Sequence, residues 1–92
     1  MDWKFDYTTN AQKDFEKIKN QKILRNNLGK LLLVLKENPF KTPPKYKKLK
    51  GNMGFSRRIN KQHRLVYEVD KENHVIKVKS MFGHYDDWKN FF

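Results

Sequence analysis

The chain has 92 residues, which is enough for one domain with a small core. It carries 21 Lys and Arg against 10 Asp and Glu, a net charge of +11, so we expect a polyanionic partner, nucleic acid before an acidic protein. The absence of cysteine excludes disulfides, thiolate metal ligands and cysteine nucleophiles, and it suits a reducing cytoplasm. The apolar run at residues 31–35 is too short to span a bilayer and residues 1–4 do not resemble a signal peptide, so no membrane partner is expected.

The first predicted element is a strand over residues 2–7, where aromatic side chains alternate with charged ones. A helix follows, and Thr8, Thr9 and Asn10 are candidate N-caps for it. Its apolar side chains recur at helical spacing and are expected to face the core: Ala11, Phe15 and Ile18.

A second helix is predicted after a break at Asn20 and Gln21. It ends at Asn38 and Pro39, because the residue before a proline avoids the helical region. One side of this helix carries a stripe of leucines that should pack on the rest of the domain: Leu24, Leu28, Leu31, Leu32 and Leu35.

The second half of the chain is predicted to form a basic loop and three strands. Residues 39–50 are expected to form the loop and residues 51–54 a turn. Strands are predicted over residues 55–59, 64–69 and 74–82, joined by short polar connections typical of hairpins. The expected fold is α+β, with the order β-α-α-β-β-β and two helices packed on a small antiparallel sheet, in a single domain spanning residues 1–92.

Alternation along these strands predicts which side chains share a face. An apolar row should face the helices: Leu65, Tyr67 and Val69. Arg58 and Arg64 then project from the open face, where the planar guanidinium groups suit phosphate oxygens. The alternative is that they are solvated cations on an ordinary polar sheet face.

The last strand raises a question about His84. Strict alternation places it on the helix side, and a bulge or kink at Gly83 would redirect it. Together with His63 and His74 it lacks the spacing of metal ligands, so we expect neither a metal nor a cofactor.

Four segments of the chain carry a resemblance to a known family. They read Tyr-Lys-Lys-Leu-Lys at 46–50, Phe-Ser-Arg-Arg-Ile-Asn at 55–60, His-Arg-Leu-Val-Tyr at 63–67 and His-Tyr at 84–85. This pattern resembles the YoeB/Txe toxins of the RelE superfamily. The resemblance implies a β-α-α fold completed by an antiparallel sheet, and a metal-independent endonuclease that cuts mRNA codons in the ribosomal A site.

The resemblance also implies residue roles. His84 would be the general acid, Arg64 would stabilise the charge of the transition state, and Tyr85 would orient the scissile phosphate or stack on a base. The predicted site residues are His84, Arg64, Lys47 and Tyr85 for catalysis, and Lys50, Arg58 and Arg57 for phosphate binding.

Two features depart from the family pattern. Lys47 stands where many members have a glutamate assigned as general base, so it is a base only if neighbouring cations and burial depress its pKa. Otherwise it is a phosphate clamp, with the base supplied elsewhere, or the nuclease is weakened or inactive. The second departure is the extension at residues 86–92, for which core or dimer packing ranks above a catalytic role.

The sequence therefore predicts a ribosome-dependent endoribonuclease toxin of a type II toxin–antitoxin system. Its expected partners are mRNA on the ribosome, a YefM-type antitoxin, a second copy in a homodimer, and operator DNA only as the toxin–antitoxin complex. The alternative is a non-catalytic, basic RNA- or ribosome-binding module, or a regulatory module that acts with the antitoxin.

Overall fold

Seven helices and strands make up the fold in the computed structural model, which describes residues 2–43, 45–52 and 54–82. In chain order they are β1 (Lys4–Tyr7), α1 (Thr9–Ile18), α2 (Lys22–Glu37), β2 (Tyr46–Lys48), β3 (Phe55–Arg58), β4 (Arg64–Asp70) and β5 (Val75–Ser80). A short 3-10 turn, Lys50–Asn52, lies between β2 and β3.

The strands form one five-stranded sheet in the order β1-β5-β4-β3-β2. The predicted α+β architecture, two helices on a mostly antiparallel sheet, is confirmed. Two details of the prediction were wrong. Strand β2 lies inside the predicted basic loop, and β1 pairs with β5 in parallel rather than antiparallel. The two helices between β1 and the rest of the sheet supply the long crossover that a parallel pair requires.

Both helices begin where the sequence indicates. Thr8 is the N-cap of α1, and its Oγ1 accepts a hydrogen bond from the Ala11 N–H at 3.1 Å. The same hydroxyl donates to the carbonyl of Lys79 at 3.0 Å, which fastens the start of the helix to β5. Helix α2 follows the predicted break, with Gln21 at its N-cap. Neither of these two helices has the length and apolar character needed to cross a membrane.

The core lies between the helices and one face of the sheet. Leucines of α2 pack against the apolar row of β4 and β5, as predicted, and these residues are buried: Leu24, Leu28, Leu31, Leu35, Leu65, Tyr67, Ile76 and Val78. This one layer of apolar contacts is the main source of stability for so small a domain.

Helix α1 differs from its prediction at one position. Phe15 is 39% exposed, and Asp14 is buried in its place. The Asp14 carboxylate accepts hydrogen bonds from Ser80 Oγ at 2.6 Å and from the Met81 N–H at 3.0 Å. Asp14 tolerates burial because two donors at the end of β5 satisfy its carboxylate.

Candidate nucleic-acid interface

The sheet face turned away from the helices brings together cations from three strands. In the strand register, Lys47 of β2 lies opposite Ser56 of β3, and Ser56 lies opposite Val66 of β4. Two residues further along β3, Arg58 lies opposite Arg64. Because cross-strand partners and alternate residues share a face, all five side chains belong to this open face.

The Arg58–Arg64 pair is the unusual feature of this face. Residues directly opposite each other in a sheet have Cβ atoms about 4.5–5.5 Å apart, and like charges so placed are destabilising. Arg58 is exposed and Arg64 is half-buried, so both charges lie near the surface. A bound polyanion would relieve the repulsion, which suits this pair to binding phosphate.

Ser56 fixes the orientation of Arg64. The Arg64 Nε donates a hydrogen bond to Ser56 Oγ at 2.6 Å, and Ser56 is fully buried. Ser56 is not among the predicted site residues, although alternation along β3 places it on the same face as Arg58. A hydrogen bond at Nε holds the guanidinium plane and leaves its outer edge directed away from Ser56.

Lys47 and Lys50 flank the arginine pair. Lys47 is exposed on β2, which is the edge strand on this side of the sheet, and it lies across from Ser56. Lys50 is exposed in the turn that follows β2. The turn is held by a hydrogen bond from the Leu49 N–H to the Gly54 carbonyl at 2.8 Å.

The positive surface continues over the end of β3 toward α2. A groove of about 320 Å³ lies there, and two of its lining residues, Lys30 and Arg58, are cations. The lining residues are Asn27, Lys30, Leu31, Val34, Arg58 and Ile59. The opposite end of the open face has mixed charge, since Glu68 forms an ion pair with Lys79 at 3.6 Å and lies near Asp6 and Asp70. The charge distribution therefore favours a polyanion at the Arg58–Arg64 end of the sheet.

Arg57 does not belong to this surface, which corrects the prediction that it binds phosphate. Its side chain is 0% exposed. The guanidinium donates to Tyr67 Oη through Nε and to the Pro39 carbonyl through Nη2, each at 2.9 Å, and it lies 5.0 Å from the centroid of the Tyr46 ring. Alternation directs this side chain to the helix side, where it joins the loop before β2 to the core.

His84 and Tyr85 lie outside the described residues, as do Gly83 with its predicted bulge and the extension at 86–92. Strand β5 ends at Ser80, two residues earlier than predicted. The register of the β4–β5 pair shifts between Val66 and Tyr67. In residues 2–43, 45–52 and 54–82, no three histidine or carboxylate side chains lie close enough together to hold a metal ion.

The chain matches the model of a known protein family. The family model of the YoeB-like toxin of bacterial type II toxin–antitoxin systems matches residues 7–85. The chain belongs to this toxin family. The predicted membership of the YoeB type within the RelE superfamily is therefore confirmed. No protein with a curated description matches the toxin in a sequence comparison.

Several solved structures are similar to the toxin. A YoeB/ParE toxin from Agrobacterium tumefaciens is 29% identical with a TM-score of 0.80, over 89% of this chain and 99% of that one. YoeB from Staphylococcus aureus, solved as a dimer, is 34% identical with a TM-score of 0.77, over 92% and 100% of the two chains. A YoeB–YefM complex from the same organism is 35% identical with a TM-score of 0.74, again over 92% and 100%.

Proposed function

We propose that the toxin is a metal-independent endoribonuclease that cuts mRNA in the A site of translating ribosomes and so inhibits translation in the bacterial cytoplasm. The observation that carries this proposal is the Arg58–Arg64 pair on the open face, with Arg64 oriented by the buried Ser56 hydroxyl. Family membership supplies the second support, because the proposed site residues lie within the matched range 7–85.

The proposed reaction needs no group beyond the RNA and the protein. The 2′-oxygen of the RNA attacks the adjacent phosphorus, an O2′–P bond forms, and the P–O5′ bond breaks. The 2′-hydroxyl proton passes to a base, and an acid gives a proton to the leaving 5′-oxygen. The products are a 2′,3′-cyclic phosphate and a 5′-hydroxyl end.

Each proposed residue has one part in this reaction. Arg64 stabilises the negative charge that builds on the phosphate, while Arg58 and Lys50 hold neighbouring phosphates. His84 is the proposed general acid, because imidazole titrates near neutral pH. Tyr85 orients the scissile phosphate or stacks on a base.

Lys47 stands where the family resemblance leads us to expect a glutamate as general base. Lys47 projects from the same face as Ser56, the residue that holds Arg64, so it is well placed to contact the same phosphate. We propose that Lys47 either accepts the 2′-hydroxyl proton as a neutral amine, or clamps the phosphate while another group takes the proton.

The proposed partners follow from the same surface. The YoeB–YefM complex from Staphylococcus aureus and the YoeB dimer from that organism favour a YefM-type antitoxin and a second copy of the toxin as partners. An antitoxin that covers the open face would block access to Arg58 and Arg64. Operator DNA is a proposed partner only of the toxin–antitoxin complex.

Cleavage mapping on ribosomes tests the proposal. A defined message is translated in vitro with the purified toxin, and new 5′ ends are mapped by primer extension. We expect cuts in the A-site codon, and we expect Arg64→Ala to lower the cleavage rate by about 100- to 1000-fold, the loss typical of a removed transition-state donor. Lys22→Ala, which removes an exposed cation at the start of α2, is the matched control and should cleave at the wild-type rate.

A second candidate function is favoured by Lys47 itself. A toxin without a general base would bind RNA or the ribosome and not cut it, and its affinity would fall steeply with salt. Intact A-site codons on actively translating ribosomes, together with salt-dependent RNA binding, would replace the first proposal by this one. Cleavage that appears only in Lys47→Glu would lead to the same conclusion.

A further inference from the structure

Strand β2, which carries Lys47, has little backbone pairing to hold it. It has three residues, Tyr46–Lys48, and it lies at the edge of the sheet, so it pairs only with β3. An edge strand has backbone groups on its outer side that no neighbouring strand pairs with. Side-chain contacts must therefore help to hold β2, and with it Lys47, in place.

Tyr46 makes such contacts on the side of the sheet opposite to Lys47. The centroid of its ring lies 5.0 Å from the guanidinium carbon of Arg57, its cross-strand partner. The ring also meets Phe55 and Phe40 edge to face, with centroids 5.5 Å and 6.1 Å apart. Attractive contacts have these dimensions, about 6 Å or less for a cation over a ring and about 4.5–7 Å for two rings.

The Arg57 guanidinium is a fixed partner for the Tyr46 ring. Arg57 is fully buried, and it donates hydrogen bonds to Tyr67 Oη and to the Pro39 carbonyl, each at 2.9 Å. Because burial removes water from the guanidinium, its attraction to an aromatic ring is stronger than at an exposed site. Tyr46 therefore connects the edge strand to a cation that the core holds in place.

The strand register connects Tyr46 to the open face. Lys47 is the next residue in the chain, and it lies opposite Ser56, whose Oγ accepts the 2.6 Å hydrogen bond from Arg64 Nε. Neighbouring Cα atoms are about 3.8 Å apart, so a shift of Tyr46 moves Lys47 relative to Ser56. The two neighbours point to opposite faces, so the Tyr46 ring does not reach a ligand on the open face.

We propose that Tyr46 is a positioning residue, which holds β2 against the Arg57 guanidinium and so places Lys47 and Arg64 to act on the same phosphate. The inference rests on the proposed endoribonuclease function and on a part for Lys47 in it, as base or as clamp. A misplacement of about 1 Å costs about 100-fold in rate. Tyr46 therefore controls the rate of cleavage without contact to the RNA.

The test compares aromatic residues at the two edges of the sheet. Tyr46→Ala removes the ring, and Tyr46→Phe is the rescue variant, because it keeps a ring over Arg57. Trp3→Ala is the matched control, since Trp3 is half-buried beside β1, the opposite edge strand, and stacks on His74 with centroids 3.8 Å apart. Leucine replaces alanine at either position if the alanine variant does not fold.

A double-mutant cycle shows whether Tyr46 acts through Lys47. It consists of the wild type, Tyr46→Ala, Lys47→Ala and the variant with both substitutions. If Tyr46 serves only to place Lys47, its replacement has little left to disturb once Lys47 is alanine. We therefore expect Tyr46→Ala to lower kcat by less than about threefold in the Lys47→Ala background.

Two measurements are made on each full-length variant: kcat and KM for cleavage on programmed ribosomes, and amide hydrogen exchange at residues 46–49. We expect Tyr46→Ala to lower kcat by about 10- to 100-fold with KM changed less than about threefold, and to speed exchange at 46–49. Tyr46→Phe should return kcat to within about threefold of wild type. Trp3→Ala should leave kcat and the exchange at 46–49 unchanged.

Several results would overturn the positioning role: wild-type kcat in Tyr46→Ala or in Lys47→Ala, no rescue by Tyr46→Phe, an equal loss of kcat in Trp3→Ala, or losses that add fully in the cycle. A wild-type toxin that does not cut RNA would instead overturn the proposed function. In that case the exchange data still decide on the contact, since unchanged exchange at 46–49 in Tyr46→Ala shows that the ring does not hold β2.

Discussion

Replacement of Arg57 tests whether its fully buried guanidinium stabilises the fold or binds RNA. Arg57→Ala removes the hydrogen bonds to Tyr67 Oη and to the Pro39 carbonyl, both at 2.9 Å. Hydrogen bonds from a charged group contribute about 1.5–3 kcal/mol each, so their loss costs about 3–6 kcal/mol. Relief of the buried charge returns part of this cost, and we expect a net loss of about 2–4 kcal/mol from the free energy of unfolding.

Arg57→Met separates the hydrogen bonds from the volume. Methionine fills most of the space, and the Pro39 carbonyl keeps a donor because Tyr67 Oη donates to it at 3.0 Å. The expected loss is therefore within about 1 kcal/mol, in line with other apolar replacements of buried charges. Urea unfolding followed by circular dichroism measures both variants, and RNA affinity is measured against salt concentration in parallel. If Arg57→Met keeps the stability of the wild type and yet loses RNA affinity with a shallower salt dependence, the assignment of Arg57 to the core is wrong.

Two further predictions concern the backbone and the pH dependence of stability. Gly54→Ala should lower the free energy of unfolding by more than about 2 kcal/mol, because φ is 100° there and a Cβ would overlap the Tyr67 carbonyl. Gly29→Ala, with open space around it, should raise the free energy of unfolding by about 0.5–1 kcal/mol in the same urea titration. Equal stabilities of the two variants would contradict this. Burial raises the pKa of Tyr67 from its ordinary value of 10.0, so the folded state favours the protonated phenol. The stability that this preference gives is fully present below the pKa of the unfolded state, and it is lost as the pH rises through the higher pKa of the folded state. The free energy of unfolding should therefore fall less steeply above pH about 10 in Tyr67→Phe than in the wild type, and identical slopes would show that Tyr67 has no part in it.

Local patterns in the sequence were enough to predict the helices and the longer strands. Thr8 caps α1, and the break at Gln21 and the end before Pro39 lie where capping and proline chemistry place them. Alternation in β4 correctly places Leu65 and Tyr67 in the core. These features depend on residues that are close together in the chain, so they can be predicted from one sequence.

The features that were missed depend on partners far along the chain. Strand β2 has three residues, Tyr46–Lys48, too few to show a period, and its strand geometry comes from pairing with β3. Asp14 is buried because the Ser80 hydroxyl and the Met81 N–H lie beside it, and neither is visible in the pattern of α1. The parallel direction of the β1–β5 pair likewise follows from the crossover and not from alternation.

In the candidate interface, too, the local pattern was predicted correctly and the contacts between distant residues were missed. Alternation predicts that Arg58 and Arg64 share a face, and the strand register places them directly opposite each other. The burial of Arg57 was missed, because it depends on the Tyr67 hydroxyl and the Pro39 carbonyl, which accept its hydrogen bonds from distant parts of the chain. The roles of His84, Tyr85 and Lys47 stay predictions for the cleavage assays.

The pairing of β1 with β5 also bears on how the protein is made. Lys4 is aligned with Val75 and Tyr7 with Val78, so the first strand to be synthesised finds its neighbour in the sheet only after almost all of the described chain exists. Contacts between such distant segments form slowly, because a long loop must close before they are gained. A nascent chain that ends within β4 has no β5 to pair with β1, and the edge of β4 that would pair with β5 has no strand beside it. Completion of this sheet therefore requires that β5 has been synthesised.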